Sequence, residues 1–185
     1  MTPLLNTLLF SPLLLLTLDI QDLTEACSCL PAHPQTQICR SDIVIHATIW
    51  SKEEIGWGMF KGFEKAKDVQ YVFTPLTSAV CGVTLEEGAK KKNQYLLSGV
   101  NVTRWKSFYL CDFIKPWNDL TNSQKNNLRE KYKRGCDCKI TACQEEPCPI
   151  ATPNECLWTD WLKEQTVYGH QANNCACSDG TCSWH

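Results

Sequence analysis

The sequence predicts a mainly β protein with helices, built as a small, partly open β-barrel followed by a smaller disulfide-rich domain. Three observations carry that expectation. Thirteen cysteines in 185 residues are far more than a chain kept reduced would tolerate, and they crowd toward the C-terminus. Short β-branched segments bounded by turn residues recur between residues 43 and 111. One capping box marks a helix, near residue 121.

Residues 1–26 contain no Lys or Arg and carry an apolar run from Leu4 to Leu18. Interrupted by Pro12, that run is too short to span a bilayer comfortably and reads as the apolar region of a signal peptide. Thr24-Glu25-Ala26 supplies a small-x-small cleavage pattern, with Cys27 next. A basic start is missing, and Asp19, Asp22 and Glu25 are unusual in such a leader. Residues 1–26 are assigned as signal peptide, and the protein is expected to be secreted to the extracellular space or matrix. Beyond residue 26 stand 18 basic and 17 acidic residues, a formal charge of +1. That balance selects neither a nucleic acid nor a membrane surface, and no second apolar stretch is long enough to span.

Along the remaining chain, Ile43 to Ile49 is β-branched and follows the turn-like Arg40-Ser41-Asp42. Val69 to Phe73 alternates and stops at Thr74-Pro75. Gln94 to Leu97 and Ser107 to Cys111 are two further strands, separated by Ser98-Gly99 and Asn101. Ser51 to Phe60 is ambiguous, because Gly56 and Gly58 weaken any strand there. Thr121 with Gln124 starts the helix, Leu128 and Tyr132 share its face, and Gly135 ends it.

The cysteines divide into a wide set, Cys27, Cys29, Cys39, Cys81, Cys111 and Cys136, and a crowded one, Cys138, Cys143, Cys148, Cys156, Cys175, Cys177 and Cys182. The change in spacing sets the boundary: 27–136 forms the first domain and 137–185 the second, too small to hold together without staples. Cys136-x-Cys138 and Cys143-x4-Cys148 lack the paired C-x2-C spacing of zinc knuckles, so disulfides are the better reading. Spacing alone leaves their connectivity open. His33, His46, His170 and His185 form no metal-ligand motif, and no nucleophile–base pair suggests an enzyme. Lys90–Lys92 and Lys131–Arg134 read as solvated faces. Asn101-Val102-Thr103 is the one N-glycosylation sequon.

Several motifs then recur in a known order. Cys27-Ser28-Cys29-Leu30-Pro31-Ala32-His33-Pro34-Gln35 opens the mature chain, with Cys39 after it. Met59-Phe60-Lys61-Gly62-Phe63, Cys81-Gly82, Gln94-Tyr95-Leu96-Leu97, Pro116-Trp117 and Cys136-Asp137-Cys138-Lys139 follow, and Asn154-Glu155-Cys156-Leu157-Trp158-Thr159-Asp160-Trp161-Leu162 closes the series. In these residues the chain resembles the tissue inhibitors of metalloproteinases over nearly all of 27–184. In detail it is most similar to the fourth and second vertebrate paralogues.

The resemblance implies an N-terminal OB-fold of the netrin-like type over 27–136 and a smaller C-terminal domain. It implies the pairs Cys27–Cys81, Cys29–Cys111, Cys39–Cys136, Cys138–Cys182, Cys143–Cys148 and Cys156–Cys177, with Cys175 left over as a free thiol or an intermolecular bridge. It implies inhibition of matrix metalloproteinases, and by extension related zinc proteases, in a one-to-one complex. The α-amine and carbonyl oxygen of Cys27 would chelate the protease's zinc, Ser28 would enter its specificity pocket, and Cys29, Leu30, Ser78 and Ala79 would lie along its cleft. No cofactor of the inhibitor's own is expected, only the zinc shared with the bound protease. The alternative is a non-inhibitory extracellular netrin-like binding module.

Two departures stand out. The Cys39–Cys81 segment is shorter than in relatives, with the loss around Ser51 to Gly58: either a harmless hairpin tip is missing, or a barrel strand and its protease contacts. The sequence also ends at Trp184-His185, without the acidic tail that helps a relative grip a progelatinase, so that partnership is not expected.

Overall fold

A computed structural model describes residues 27–51, 54–62, 72–86, 93–102, 105–178 and 182–185. The assigned signal peptide, Val69–Tyr71 and Lys90–Lys92 lie outside these residues. Four α-helices punctuate the described chain, α1 (Pro34–Arg40), α2 (Asn122–Glu130), α3 (Asp160–Glu164) and α4 (His170–Asn174). The main sheet contains β1 (Ile43–Ser51), β2 (Glu54–Lys61), β3 (Val72–Phe73), β4 (Gln94–Val102), β5 (Trp105–Ser107) and β6 (Ile114–Pro116). Two small sheets pair β7 (Lys139–Ala142) with β8 (Glu155–Trp158), and β9 (Cys177–Ser178) with β10 (Ser183–Trp184).

The main sheet runs β2-β1-β4-β5-β3, with β6 on β4 as a branch. Among the described residues this path stays open and closes no barrel. Its centre is β1, whose β-branched residues serve two cores by alternation. Ile43, Ile45, Ala47 and Ile49 join Tyr95, Leu97 and Phe108 on one face. Val44 and Leu96 lie on the other, under Ile38, Leu120, Leu128, Tyr132 and Ala176. The second core crosses residue 136, so the two cysteine groups share packed residues although no disulfide joins them.

The shortened segment keeps its strand. β2 pairs antiparallel with β1 from Val44↔Lys61 to Ser51↔Glu54, with Gly56 opposite Thr48 and Gly58 opposite His46. The glycines are carried by a continuous partner strand rather than breaking the pairing. Lys61, at the far end, donates from Nζ to the carbonyls of Ile38 (3.1 Å) and Cys39 (2.8 Å), closing the C-terminus of α1.

Two sequence expectations need correction. Ser98-Gly99 does not end a strand: β4 continues to Val102, pairing with β1, β6 and β5 along its length. Ser98 Oγ accepts from the Phe113 backbone N–H (2.8 Å), and a Cβ at position 99 would come within 2.8 Å of the Phe108 ring, so only glycine fits. Ser107 to Cys111 is not a strand beyond its first residue, since Asp112 folds the chain there. The Asp112 carboxylate accepts from the Tyr109 N–H (2.8 Å), and the Asp112 N–H returns to the Tyr109 carbonyl (2.9 Å).

The helix expected near residue 121 is α2, with both capping-box hydrogen bonds made between Thr121 and Gln124. Both residues also hold α4: Thr121 Oγ1 donates to the Asn173 carbonyl, and Gln124 Nε2 to Ala172 (3.1 Å).

Candidate functional site

The candidate site begins where regular structure has not yet started. Cys27 to Pro31 is neither helix nor strand, and Ser28, Cys29, Leu30 and Pro31 are exposed, Leu30 to 91%. Two disulfides pin this segment: Cys27 to Cys81 (Cα–Cα 5.3 Å) and Cys29 to Cys111 (5.2 Å). The anchors are themselves joined, because the Leu110 N–H donates to the Cys81 carbonyl (2.8 Å). Ser78 and Ala79 sit in a one-turn 3₁₀ helix, Ser78–Val80, immediately before Cys81, and both are exposed. Cys81 ends that turn with φ 62°, its N–H bonded to the Ser78 carbonyl (3.0 Å). Gly82 packs so closely that a Cβ would meet the Pro75 carbonyl oxygen at 2.0 Å. Residues distant in sequence thus form one exposed edge on a stapled base.

Sequence reasoning missed the apolar residues flanking that edge. Leu76 is 98% exposed, with Val80 and Leu110 also open to solvent. Their signal was position, beside Cys81 and Cys111, rather than any motif.

The other end of the segment is held by two buried polar residues. His33 caps α1, with Nδ1 accepting from the Gln35 N–H (3.2 Å) and Nε2 against the Gln171 carbonyl (3.2 Å). Its ring meets Trp158 edge-on at 5.6 Å and Trp184 at 5.1 Å. Gln35 donates to the Gly135 (3.0 Å) and Cys177 (2.6 Å) carbonyls and accepts from the Cys177 N–H (2.8 Å). A side chain at Gly135 would strike the Cys177 carbonyl, at 1.9 Å, so this close approach needs glycine. Cys39–Cys136 clamps the other end of α1.

In the second part, Cys138–Cys182, Cys143–Cys148 and Cys156–Cys177 are paired, and Cys175 is the one free cysteine. The sulfurs of Cys138, Cys177 and Cys182 cluster within 4.8 Å, but all three are in disulfides and offer no thiolate to a metal. Two buried carboxylates organise the loops. Glu155 accepts from Thr141 Oγ1, Ala151 N–H and Lys139 Nζ, which lowers its pKa to about 2. Burial alone would raise the Asp160 carboxyl, but hydrogen bonds from Ala172, Trp158, Gln171 and Gly169 outweigh it and hold the carboxyl below its ordinary value.

His33 gives the fold a pH dependence. Burial lowers its pKa from 6.5 to about 4, despite the Gln171 hydrogen bond and the Asp160 charge, which both raise it. The unfolded chain takes up a proton below pH 6.5 that the folded protein refuses. Stability is therefore full above that pH and falls as pH drops toward 4, by about 1.4 kcal/mol per unit. His46, also lowered by burial, adds a slope of the same sign. Urea midpoints from pH 7.5 to 4.5 should thus fall less steeply for His33→Gln than for the parent, and equal slopes would refute the assignment.

No helix among the described residues is long and apolar enough to cross a membrane. The family model described as tissue inhibitor of metalloproteinase matches residues 25–58 and 55–184, two matches meeting within β2. Metalloproteinase inhibitor 4 of Rattus norvegicus is 46% identical over 183 residues, covering 87% of this chain and 81% of the relative, and that of Mus musculus gives the same figures. Metalloproteinase inhibitor 2 of Homo sapiens is 43% identical over 184 residues, covering 87% of this chain and 82% of the relative. A match over most of the chain, at this identity and with the stapled edge in place, is decisive: the chain belongs to the tissue inhibitor of metalloproteinase family, whose members are inhibitors and not enzymes.

Proposed function

We propose that the protein is secreted, is cut before Cys27, and inhibits matrix metalloproteinases one-to-one by offering the protease's zinc the Cys27 α-amine and carbonyl oxygen. A catalytic zinc keeps one position open for water, and the amine with its neighbouring carbonyl can occupy it. A free α-amine has a reference pKa of about 7.7–8, so part of it is neutral at physiological pH and able to donate its lone pair. The Cys27 sulfur plays no part, being committed to Cys81. The observation that carries this reading is the stapled, exposed segment itself: two disulfides hold residues 27–29 before any partner arrives, which reduces the ordering cost of binding.

Ser28 then enters the specificity pocket, where a small side chain suits pockets of many shapes. Cys29 and Leu30 continue along the cleft with Ser78 and Ala79 beside them. Residues 27–136 form the inhibitory, netrin-like OB-fold domain and 137–185 the disulfide-rich C-terminal domain. The two disulfide sets support this division by not crossing residue 136.

N-terminal sequencing of the secreted protein, paired with titration against a metalloprotease catalytic domain, tests the proposal. A start at Cys27 and stoichiometric inhibition are expected. A secreted protein that inhibits with residues still attached before Cys27 would contradict the mechanism. Ser28→Gly should weaken inhibition by roughly 10-fold through lost pocket contact, the scale of about one or two methylenes. It should leave the pH dependence of inhibition, set by the amine, unchanged. An unaltered inhibition constant would take Ser28 out of the pocket.

A further inference from the structure

Asn101-Val102-Thr103 is the one place in the chain where an asparagine stands two residues before a serine or threonine with no proline between them. The inhibitory segment makes no use of it. Asparagine is also out of character in a strand, yet Asn101 sits within β4 between Val100 and Val102. Thr103 lies outside the described residues, and its part is read from the sequence.

The backbone puts this asparagine where the sheet thins out. From Gln94 to Gly99, β4 is paired with β1, and the pairing ends where the Asp42 N–H donates to the Gly99 carbonyl (2.9 Å). The pairing with β6 ends at Leu97. Beyond Gly99 the only strand paired with β4, among the described residues, is β5. It matches Val100 with Ser107, Asn101 with Lys106 and Val102 with Trp105. Asn101 is therefore on a two-stranded ribbon that runs past the central strand. Its register partner is a lysine, so the pair gives a core nothing apolar to bury.

That ribbon starts beside the exposed edge. Val100, the residue before Asn101, lines a hollow of about 210 Å³ together with Leu30 and Cys111. Cys111 is the anchor of Cys29. Across the sheet, Phe73, Ser107 and Val100 stand in one row, with Phe73 and Val100 exposed. A group attached at Asn101 thus begins one residue from a wall that Leu30 shares.

We propose that Asn101 carries an N-linked oligosaccharide, which flanks the inhibitory edge and slows the approach of a protease to it. The transfer joins the Asn101 side-chain nitrogen to C1 of the first N-acetylglucosamine of a lipid-diphosphate-linked oligosaccharide. The bond from C1 to phosphate breaks, the lipid diphosphate leaves with the electron pair, and the amide loses one proton. The attached sugar is bulky and hydrated. It obstructs without making a contact that must later break, so its effect falls on association rather than dissociation. This rests on the proposed secretion and on the proposed docking of residues 27–30.

The test uses the full chain secreted from animal cells. A peptide N-glycosidase should speed the gel migration of the secreted protein and convert Asn101 to aspartate, which peptide mass mapping detects. Asn101→Gln and Thr103→Ala should migrate like the deglycosylated protein. Thr103→Ser, which keeps the acceptor sequence, should migrate like the parent. Both sugar-free variants should bind a matrix metalloprotease catalytic domain roughly 3- to 10-fold faster than the parent, with dissociation rates within about twofold. A secreted protein that starts at Cys27 and carries no sugar at Asn101 would overturn the inference and leave the secretion reading intact. Equal association rates with and without the sugar would overturn its flanking role. Retention in the cytosol with residues 1–26 attached would remove both readings, because the sugar donor is met only on the secretory route.

Discussion

Adding one Ala before Cys27 is expected to abolish inhibition of a metalloprotease catalytic domain. The extension turns the terminal amine into an amide nitrogen, whose lone pair is delocalised into the carbonyl and makes a poor metal donor. It also pushes a residue into a cleft shaped for a chain that begins at Cys27. Acetylating the amine removes the donor with less added bulk and should act similarly, which separates lost ligation from simple crowding. The loss should exceed the roughly 10–100-fold that follows from removing an outer-shell partner of a metal ligand, because here a direct ligand is gone. The fold should be indifferent. Six disulfides remain, Cys27 still pairs with Cys81, and circular dichroism and the single free thiol of Cys175 should match the parent. An extended, folded protein with an unchanged inhibition constant would remove the chelate and leave a netrin-like binding module as the better reading.

How far the sequence revealed this arrangement depends on where its signals were local. The strand at Ile43 was legible because a β-branched run needs no tertiary context, and the capping box at Thr121 because its two hydrogen bonds span three residues. The hairpin partner was not, since β2 carries Gly56 and Gly58 and is a strand only because β1 lies beside it. The short helices α1, α3 and α4 escaped for a related reason. α1 has Pro34 in its first turn but a histidine cap, α3 follows Thr159 without a side-chain cap bond, and α4 starts from Gly169; at five to seven residues none is long enough to show a helical period. Their stability comes from Asp160, Gln171 and the cysteines, contacts that join residues far apart in the chain. The exposed edge was legible only as a motif: Cys27-Ser28-Cys29 says nothing by itself about Ser78 or Leu110.

The second large effect should come from replacing Cys29 and Cys111 together with serine. Both residues are exposed, so the change opens no cavity, and what is lost is the cross-link itself. That bond closes a separation of 82 residues, for which chain entropy alone suggests between about 4 and 5 kcal/mol. Cys27–Cys81 and Cys39–Cys136 still shorten the effective loop, so a loss of about 2–3 kcal/mol is the better expectation, or several degrees in Tm. The effect on inhibition should be at least as telling. With Cys29 released, residues 28–30 are tethered only through Cys27 and α1, and the complex must order them, at about 1–2 kcal/mol per residue. Even one such residue weakens binding by roughly 10-fold. Replacing Cys143 and Cys148, which close a separation of only 5 residues away from the edge, supplies the comparison. That variant should cost less stability and leave the chelating residues ordered and the inhibition constant near that of the parent. If the Cys29/Cys111 variant kept both its Tm and its inhibition constant, the stapling argument would fall, since the segment would then be held by its own packing.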